Sequence, residues 1–165
     1  MSIFNANFKE RLALDGDLFF SEYVEENFLG SQIIQLSFKT PINKYASFFG
    51  LNFETMDGQA ILRAFSPELI NVEGTRIPYI RLNPNKAKTS LSELRVNTTF
   101  LTPPVNNIRI LTEFSGDTKK VGSTYNPDDQ VGILPANTVY RLEIQNLETT
   151  PIKVKMRVLY GEFNI

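Results

Sequence analysis

Ile152-Lys-Val-Lys-Met-Arg-Val-Leu-Tyr160 decides the fold. Ile152, Val154, Met156, Val158 and Tyr160 share one face, and Lys153, Lys155 and Arg157 share the other. A period of two is the pattern of a β-strand that covers a core and turns its back to water. Three more segments repeat it. In Val139–Gln145, Tyr140, Leu142 and Ile144 alternate with Arg141, Glu143 and Gln145. In Ser31–Thr40, Ile34, Leu36 and Phe38 alternate with Gln35, Ser37 and Lys39. In Asn107–Phe114, Ile108, Ile110 and Phe114 alternate with Arg109 and Glu113. One wet face per strand belongs to antiparallel sheets. The pattern places Ile108, Ile110, Leu142, Ile144, Val154, Met156 and Val158 in the core.

Weaker strand segments are Phe8–Leu14, Asp17–Val24, Lys44–Thr55, Gln59–Phe65, Ile77–Leu82 and Leu94–Leu101. Asp15-Gly16 and Asp57-Gly58 tolerate the positive φ of tight turns and predict hairpins. Asn146–Pro151 predicts a longer hairpin loop between the last two strands, and Pro103-Pro104 punctuates the chain before Val105. Helix signals are short: Ser66-Pro67-Glu68 resembles a cap with proline behind it, and Ser90-Leu-Ser-Glu93 a capping box. Asn83–Thr89 and Ser115–Asn137 read as irregular loops. The expected architecture is an all-β antiparallel β-sandwich or jelly roll of about ten short strands, with at most one or two short helical turns. A closed up-and-down barrel is the alternative. The 165 residues suit one domain, 1–165, with an apolar N-terminal arm over residues 1–8.

Composition removes much chemistry. The chain has no His, Cys or Trp. It therefore lacks a thiolate nucleophile, a histidine-based triad, an imidazole ligand and a disulfide framework. No catalytic residue, metal ligand or cofactor is assigned, and the expectation is that the protein is not an enzyme. Carboxylate pairs among Glu54, Glu113 and Glu143 would be needed for glycosidase chemistry, but each falls in the polar phase of its strand and is expected to face water. Asn126-Pro-Asp128-Asp129-Gln130 gathers oxygen ligands without the spacing of a calcium loop and reads as a solvated turn.

Net charge is −1, without the basic excess of a dedicated nucleic-acid binder. Residues 1–75 carry net −5 and residues 76–120 net +5, so the two stretches can pair within or between subunits. The first residues lack the basic and apolar regions of a signal peptide, and no apolar run reaches the length of a membrane span, so synthesis in a cytoplasm without a membrane partner is expected. The 13 Phe and 6 Tyr include Phe19-Phe20, Phe48-Phe49 and Tyr79. These could stack on sugars, but with Trp absent they read as core or subunit interface. Both ends are apolar. Ile3, Phe4, Phe8, Phe163 and Ile165, together with Tyr125 in the long loop, are the candidate interface residues; apolar termini need something to dock on. Around Tyr125, Lys119, Lys120, Asp128 and Asp129 would form a charged rim to a partner contact.

Ile133-Leu-Pro-Ala-Asn-Thr-Val-Tyr-Arg-Leu-Glu-Ile-Gln-Asn-Leu147, followed by Ile152-Lys-Val-Lys-Met-Arg-Val-Leu-Tyr-Gly-Glu162, resembles the closing hairpin of tailed-bacteriophage virion β-sandwich proteins. The likeness lies in Pro-small-Asn-Thr before the first strand, the Asn-Leu turn and the aromatic-x-Glu end. It implies a structural subunit of the head decoration, head fibre or tail, located in the virion and commonly trimeric. It carries over no functional residue. The expected partners are further copies of the chain and other virion proteins, not nucleic acid; the alternative is a carbohydrate-binding module or receptor-binding domain with a glycan ligand.

Overall fold

The computed structural model describes residues 2–104, 107–113, 121–125 and 133–164, with side chains for 8–65, 67–104 and 133–164. Among the described residues one helix, α1 (Ser2–Asp15), precedes fourteen strands. These are β1 (Leu18–Phe28), β2 (Ile33–Lys39), β3 (Tyr45–Met56), β4 (Ala60–Pro67), β5 (Ile70–Val72), β6 (Thr75–Arg76), β7 (Tyr79–Arg81), β8 (Glu93–Val96), β9 (Thr99–Phe100), β10 (Asn107–Glu113), β11 (Val121–Tyr125), β12 (Ile133–Leu134), β13 (Val139–Asn146) and β14 (Ile152–Phe163).

The long strands pair as β1 with β14, β2 with β13, β3 with β11 and β4 with β10, all antiparallel. The first half of the chain thus runs back along the second as one two-stranded ribbon. Folding that ribbon sets β3 beside β14 and β4 beside β13. The result is a front sheet ordered β11-β3-β14-β1-β7, with β12 also on β3, and a back sheet ordered β10-β4-β13-β2-β8-β6. This is the jelly roll: eight long strands, two Greek keys, two facing sheets. The inward residues form one core, in which Phe19, Phe53, Val154, Met156, Val158 and Tyr160 of the front sheet meet Leu36, Phe38, Leu62, Leu142 and Ile144 of the back sheet.

The four strongly alternating segments become β2, β10, β13 and β14. Leu142, Ile144, Val154, Met156 and Val158 are 3% exposed or less; the side chains of Ile108 and Ile110 lie outside the described residues. The turns sit where Asp57-Gly58 and Asn146–Pro151 predict them, and Asp57 adopts φ 70°. They are not hairpins, however. β3 and β4 lie in opposite sheets, as do β13 and β14, so both turns carry the chain across the sandwich. An Asp-Gly pair sets the reversal, whereas the packing of apolar faces decides whether the next strand joins the same sheet.

Several local expectations are overturned. Phe8–Leu14 is helix, so the helical content exceeds one or two turns. Asp15-Gly16 closes that helix: Gly16 N–H donates to Ala13 O (3.2 Å) and Asp17 N–H to Leu12 O (2.8 Å), with Gly16 at φ 80°. Those two bonds are the Schellman closure, which requires the left-handed residue glycine supplies. Ser66-Pro67-Glu68 and Ser90–Glu93 form no helix. The loop 115–137 is not wholly irregular: β11 and β12 lie within it and pair with β3. The small strands β5, β6, β9 and β12, each of two or three residues, lift the count above ten and are too short to show alternation.

α1 lies on the outer face of the front sheet. Phe8 and Leu12, four residues apart on one helix face, pack with Leu18, Phe49, Leu159 and Phe163 in a second small core. Between β4 and β10 the chain makes a long excursion that supplies β5 to β9. Its β7 pairs with β1 and its β8 with β2, so one inserted segment covers the side edge of both sheets. Covering edges blunts uncontrolled strand addition.

Candidate functional site

Back-sheet strands β4, β13, β2 and β8 run out together at one end of the sandwich: Tyr140 is level with Pro67, and Val139 and Glu93 are both level with Lys39. Just past these ends sit four exposed aliphatic residues. Leu69 follows β4 and is bonded through its carbonyl to Leu101 N–H (3.1 Å); Ile42 follows β2; Leu91 precedes β8. They are 50–77% exposed. Leu69 and Leu101 are joined by that bond beyond β4, and Ile42 and Leu91 line one cavity beyond β2 and β8, so this end of the sheet carries two exposed apolar pairs. Pro67, Pro103, Pro104 and Pro135 are exposed beside them. Below Ile42 and Leu91 lies a cavity of about 430 Å³ lined also by Lys39, Thr40, Pro41, Asn43 and Glu93.

Two buried polar systems hold this end. Arg141 points to the outer side of the back sheet, yet it is 3% exposed, because β5 and β9 lie across it. It donates to Glu143 (2.6 and 3.0 Å), to Glu68 (3.0 Å) and to the Thr102 carbonyl (3.1 Å), and its guanidinium stacks 4.7 Å from the Phe100 ring centroid. Two carboxylates, a carbonyl and a ring satisfy one buried cation. Arg141 thereby pins Glu68 and Thr102, which flank Leu69 and Leu101. The expectation that Arg141 and Glu143 face water is wrong for this reason: the period of two reports which side a residue takes, not what later covers that side.

The second system surrounds Glu162, 1% exposed. Its Oε1 accepts from Ser90 Oγ (3.0 Å), Leu91 N–H (2.9 Å) and Ser92 N–H (2.6 Å), while Ser90 and the Tyr160 hydroxyl are 2.8 Å apart. Arg76 donates to the carbonyls of Ser90 and Ser92 (3.1 and 3.3 Å). Burial pushes the Tyr160 phenol up to about 12, against its hydrogen bond with Ser90. These contacts explain why Ser90–Glu93 is extended: its N–H groups go to Glu162 and not to a helix. They also present Leu91 outward. The aromatic-x-Glu end of the last strand is therefore a clamp on the loop before β8. Between its two halves, Gly161 leaves room for α1: a Cβ there would lie 2.7 Å from Leu12 Cδ1 and 2.9 Å from Phe49 Cε2.

On the outer face of the front sheet, Arg157 and Lys155 meet Glu22 (2.6 and 3.5 Å) and Lys153 meets Glu26 (2.9 Å). Arg157 holds the Glu22 carboxyl below the usual carboxylate range. The opposite charges of residues 1–75 and 76–120 meet inside one chain, at Asp17 with Lys88 (2.7 Å) and Glu73 with Arg95 (3.8 Å).

Of the candidate interface residues, Phe8 and Phe163 come together, edge to face with centroids 5.1 Å apart, and Phe163 stacks on Tyr45. The side chains of Ile3, Phe4 and Tyr125 and all of Ile165 lie outside the described residues, as do Lys119, Lys120 and Asn126–Gln130; the backbone at Tyr125 belongs to β11, opposite Leu51. Glu54 and Glu143 lie on the outer faces of opposite sheets and cannot form an acid–base pair. Glu113 has no described side chain. Phe19, Phe48 and Tyr79 belong to the core cluster and its margin, and Phe49 to the core under α1. Among the described residues no group of three or more acidic side chains is placed to hold a metal ion, and no helix is long and apolar enough to cross a membrane. Reading from sequence missed Arg141 with Glu68, and Glu162 with Ser90. Their separations of 73 and 72 residues leave no local signal.

No protein-family model matches the chain, and no curated protein sequence matches it. Among solved structures, a chain of the cyanophage Pam1 capsid asymmetric unit is 12% identical, over 89% of this chain and 84% of that one, with a TM-score of 0.28. A chain of infectious bursal disease virus, Gt strain, is 12% identical over 88% of this chain and 42% of that one, at 0.20. A chain of the subviral particle of the same virus is 13% identical over 89% and 41%, at 0.18. The protein spans about four-tenths of these last two. TM-scores this low do not establish a shared fold; the jelly roll is read from strand pairing.

Proposed function

We propose that the protein is a non-enzymatic structural subunit of a bacteriophage particle, in the head decoration, head fibre or tail, acting by assembly with copies of itself and with other virion proteins. The jelly roll is shared by viral capsid and lectin domains and by cupins, and by itself does not choose among them. The observation that carries the reading is the two exposed aliphatic pairs at one end of the back sheet, Leu69 with Leu101 and Ile42 with Leu91, with Leu69 and Leu101 held by the Arg141 system and Leu91 by the Glu162 system. Exposed aliphatic residues gathered at one end of a sheet suit contact with another protein, and a pinned surface loses little entropy when it docks. The phage-like C-terminal segment agrees, because Tyr160 and Glu162 of its last strand build the clamp behind Leu91. The lining of the cavity below Ile42 includes no aromatic ring, which favours protein contact over sugar stacking.

The test is mass spectrometry of purified phage particles from cells that carry the coding region, compared with particles bearing Leu69→Asp and Leu101→Asp. The chain should be a stoichiometric particle component and the double variant should be depleted from particles while remaining folded. Its absence from particles, together with specific binding on a glycan array, would overturn the reading in favour of the carbohydrate-binding alternative.

A further inference from the structure

The side edge of the front sheet is stepped. β7 pairs with β1 only at Phe19–Ser21: Arg81 lies opposite Phe19, Ile80 opposite Phe20 and Tyr79 opposite Ser21. Beyond Ser21, β1 continues to Phe28, and among the described residues no strand covers that part of its edge. An uncovered edge presents backbone N–H and C=O groups ready to pair. The step and the notch differ in charge. Arg81 and Lys86 stand on the step, where Arg81, among the described residues, reaches only the Lys86 carbonyl (3.5 Å). The notch carries Glu25, held among the described residues only by the Tyr23 hydroxyl and the Asn27 N–H, each at 3.2 Å. Glu22 and Glu26 beside it are already paired across to β14. The step is also apolar, with Ile80 60% exposed and Leu82 46%.

We propose that β7 of one copy fills the β1 notch of a second copy, and the reverse, across a two-fold axis perpendicular to the front sheet beside Glu22. The proposal rests on the assembly reading above and names one of its contacts. The geometry is self-consistent. Such an axis runs the two β1 strands antiparallel, so each β7 enters the other copy parallel to β1. Tyr79, Ile80 and Arg81 then fall beside Tyr23, Val24 and Glu25 of the second copy. Side chains keep their faces in this register. Arg81 lies level with Phe19, whose ring is in the core, and Glu25 has the same parity along β1, so the cation and the carboxylate meet on one side of the sheet. Ile80 meets Val24 on the other side. Adjacent strands at ~4.8 Å place the two charged groups within reach of an ion pair. The patch holds both members of each pair, as a two-fold contact requires. Charge opposes the other arrangement: β1 notch against β1 notch would set Glu25 near Glu25.

Sedimentation velocity of the full chain over a concentration series tests this. The wild type should associate, less strongly at high salt because the pairs are partly solvated. Arg81→Glu and Glu25→Lys should each raise the dissociation constant at least tenfold, and the combined swap should restore it to within about threefold, with thermal melts confirming that all three fold. A wild type that stays monomeric throughout, single variants that associate like the parent, or a swap that rescues nothing would each overturn the contact. Particle incorporation of the same variants is measured separately. A chain that enters particles but shows no dependence on residues 25 and 81 refutes this interface and leaves the virion role standing.

Discussion

Replacing Arg141 with alanine removes the cation that pairs with both Glu68 and Glu143. The side chain is 4% exposed, and the carboxylate side chains beside it are 9% and 8% exposed. Water cannot take over the lost bonds without lifting β5 and β9 from the sheet. Breaking a buried pair by deleting one partner costs about 3–5 kcal/mol, because the remaining charge is left uncompensated. At roughly 2–4 °C per kcal/mol for a chain of this size, the melting temperature should fall by about 6–20 °C. Urea unfolding followed by circular dichroism gives the free energy directly. The triple variant Arg141→Met, Glu68→Leu, Glu143→Leu separates loss of pairing from loss of packing. With no buried charge left, it should recover most of the stability, since apolar replacement of a whole buried ion group is often neutral or better. A cost below about 1 kcal/mol for Arg141→Ala would refute the reasoning. Values that small belong to solvent-exposed pairs, and β5 and β9 would then not be closed over Arg141 in solution.

Gly161→Ala should cost about 1–3 kcal/mol through overpacking and should expose the α1 segment to protease first, because the new methyl group meets Leu12 and Phe49; unchanged cleavage would place α1 elsewhere. Leu142→Ala and Ile144→Ala should each lose about 2–5 kcal/mol in chemical denaturation, as both are almost fully buried. Glu22 titrates below its ordinary value of 4.5 because of Arg157. Its folded pKa is therefore depressed, and its contribution is present above that ordinary value and lost as pH falls through the folded pKa. Glu22→Gln should flatten the acid limb of the stability–pH curve while leaving its shape above pH 6 unchanged. An identical acid limb would show that the pair with Arg157 contributes nothing.

The sequence by itself determined which residues turn inward on the long strands. Val154, Met156 and Val158 are committed by a period that survives any pairing, because a strand has only two faces. It also determined where the chain reverses, since Asp57-Gly58 supplies the backbone freedom locally. Phe8–Leu14 reads as a weak strand, because a short apolar run fits helix and strand alike, and the structure makes it part of α1. Only the tertiary structure decided the rest. Whether Asp57-Gly58 joins neighbours in one sheet or crosses between two depends on which apolar faces close on each other, and that choice is made by the whole ribbon. Arg141 reads as a surface cation until β5 and β9, drawn from residues 70–72 and 99–100, are laid over it. Glu162 reads as a terminal carboxylate until the loop at Ser90 brings it three donors. Burial of a polar group is set by what another part of the chain places on top of it, and distant covering segments leave no trace in the local pattern.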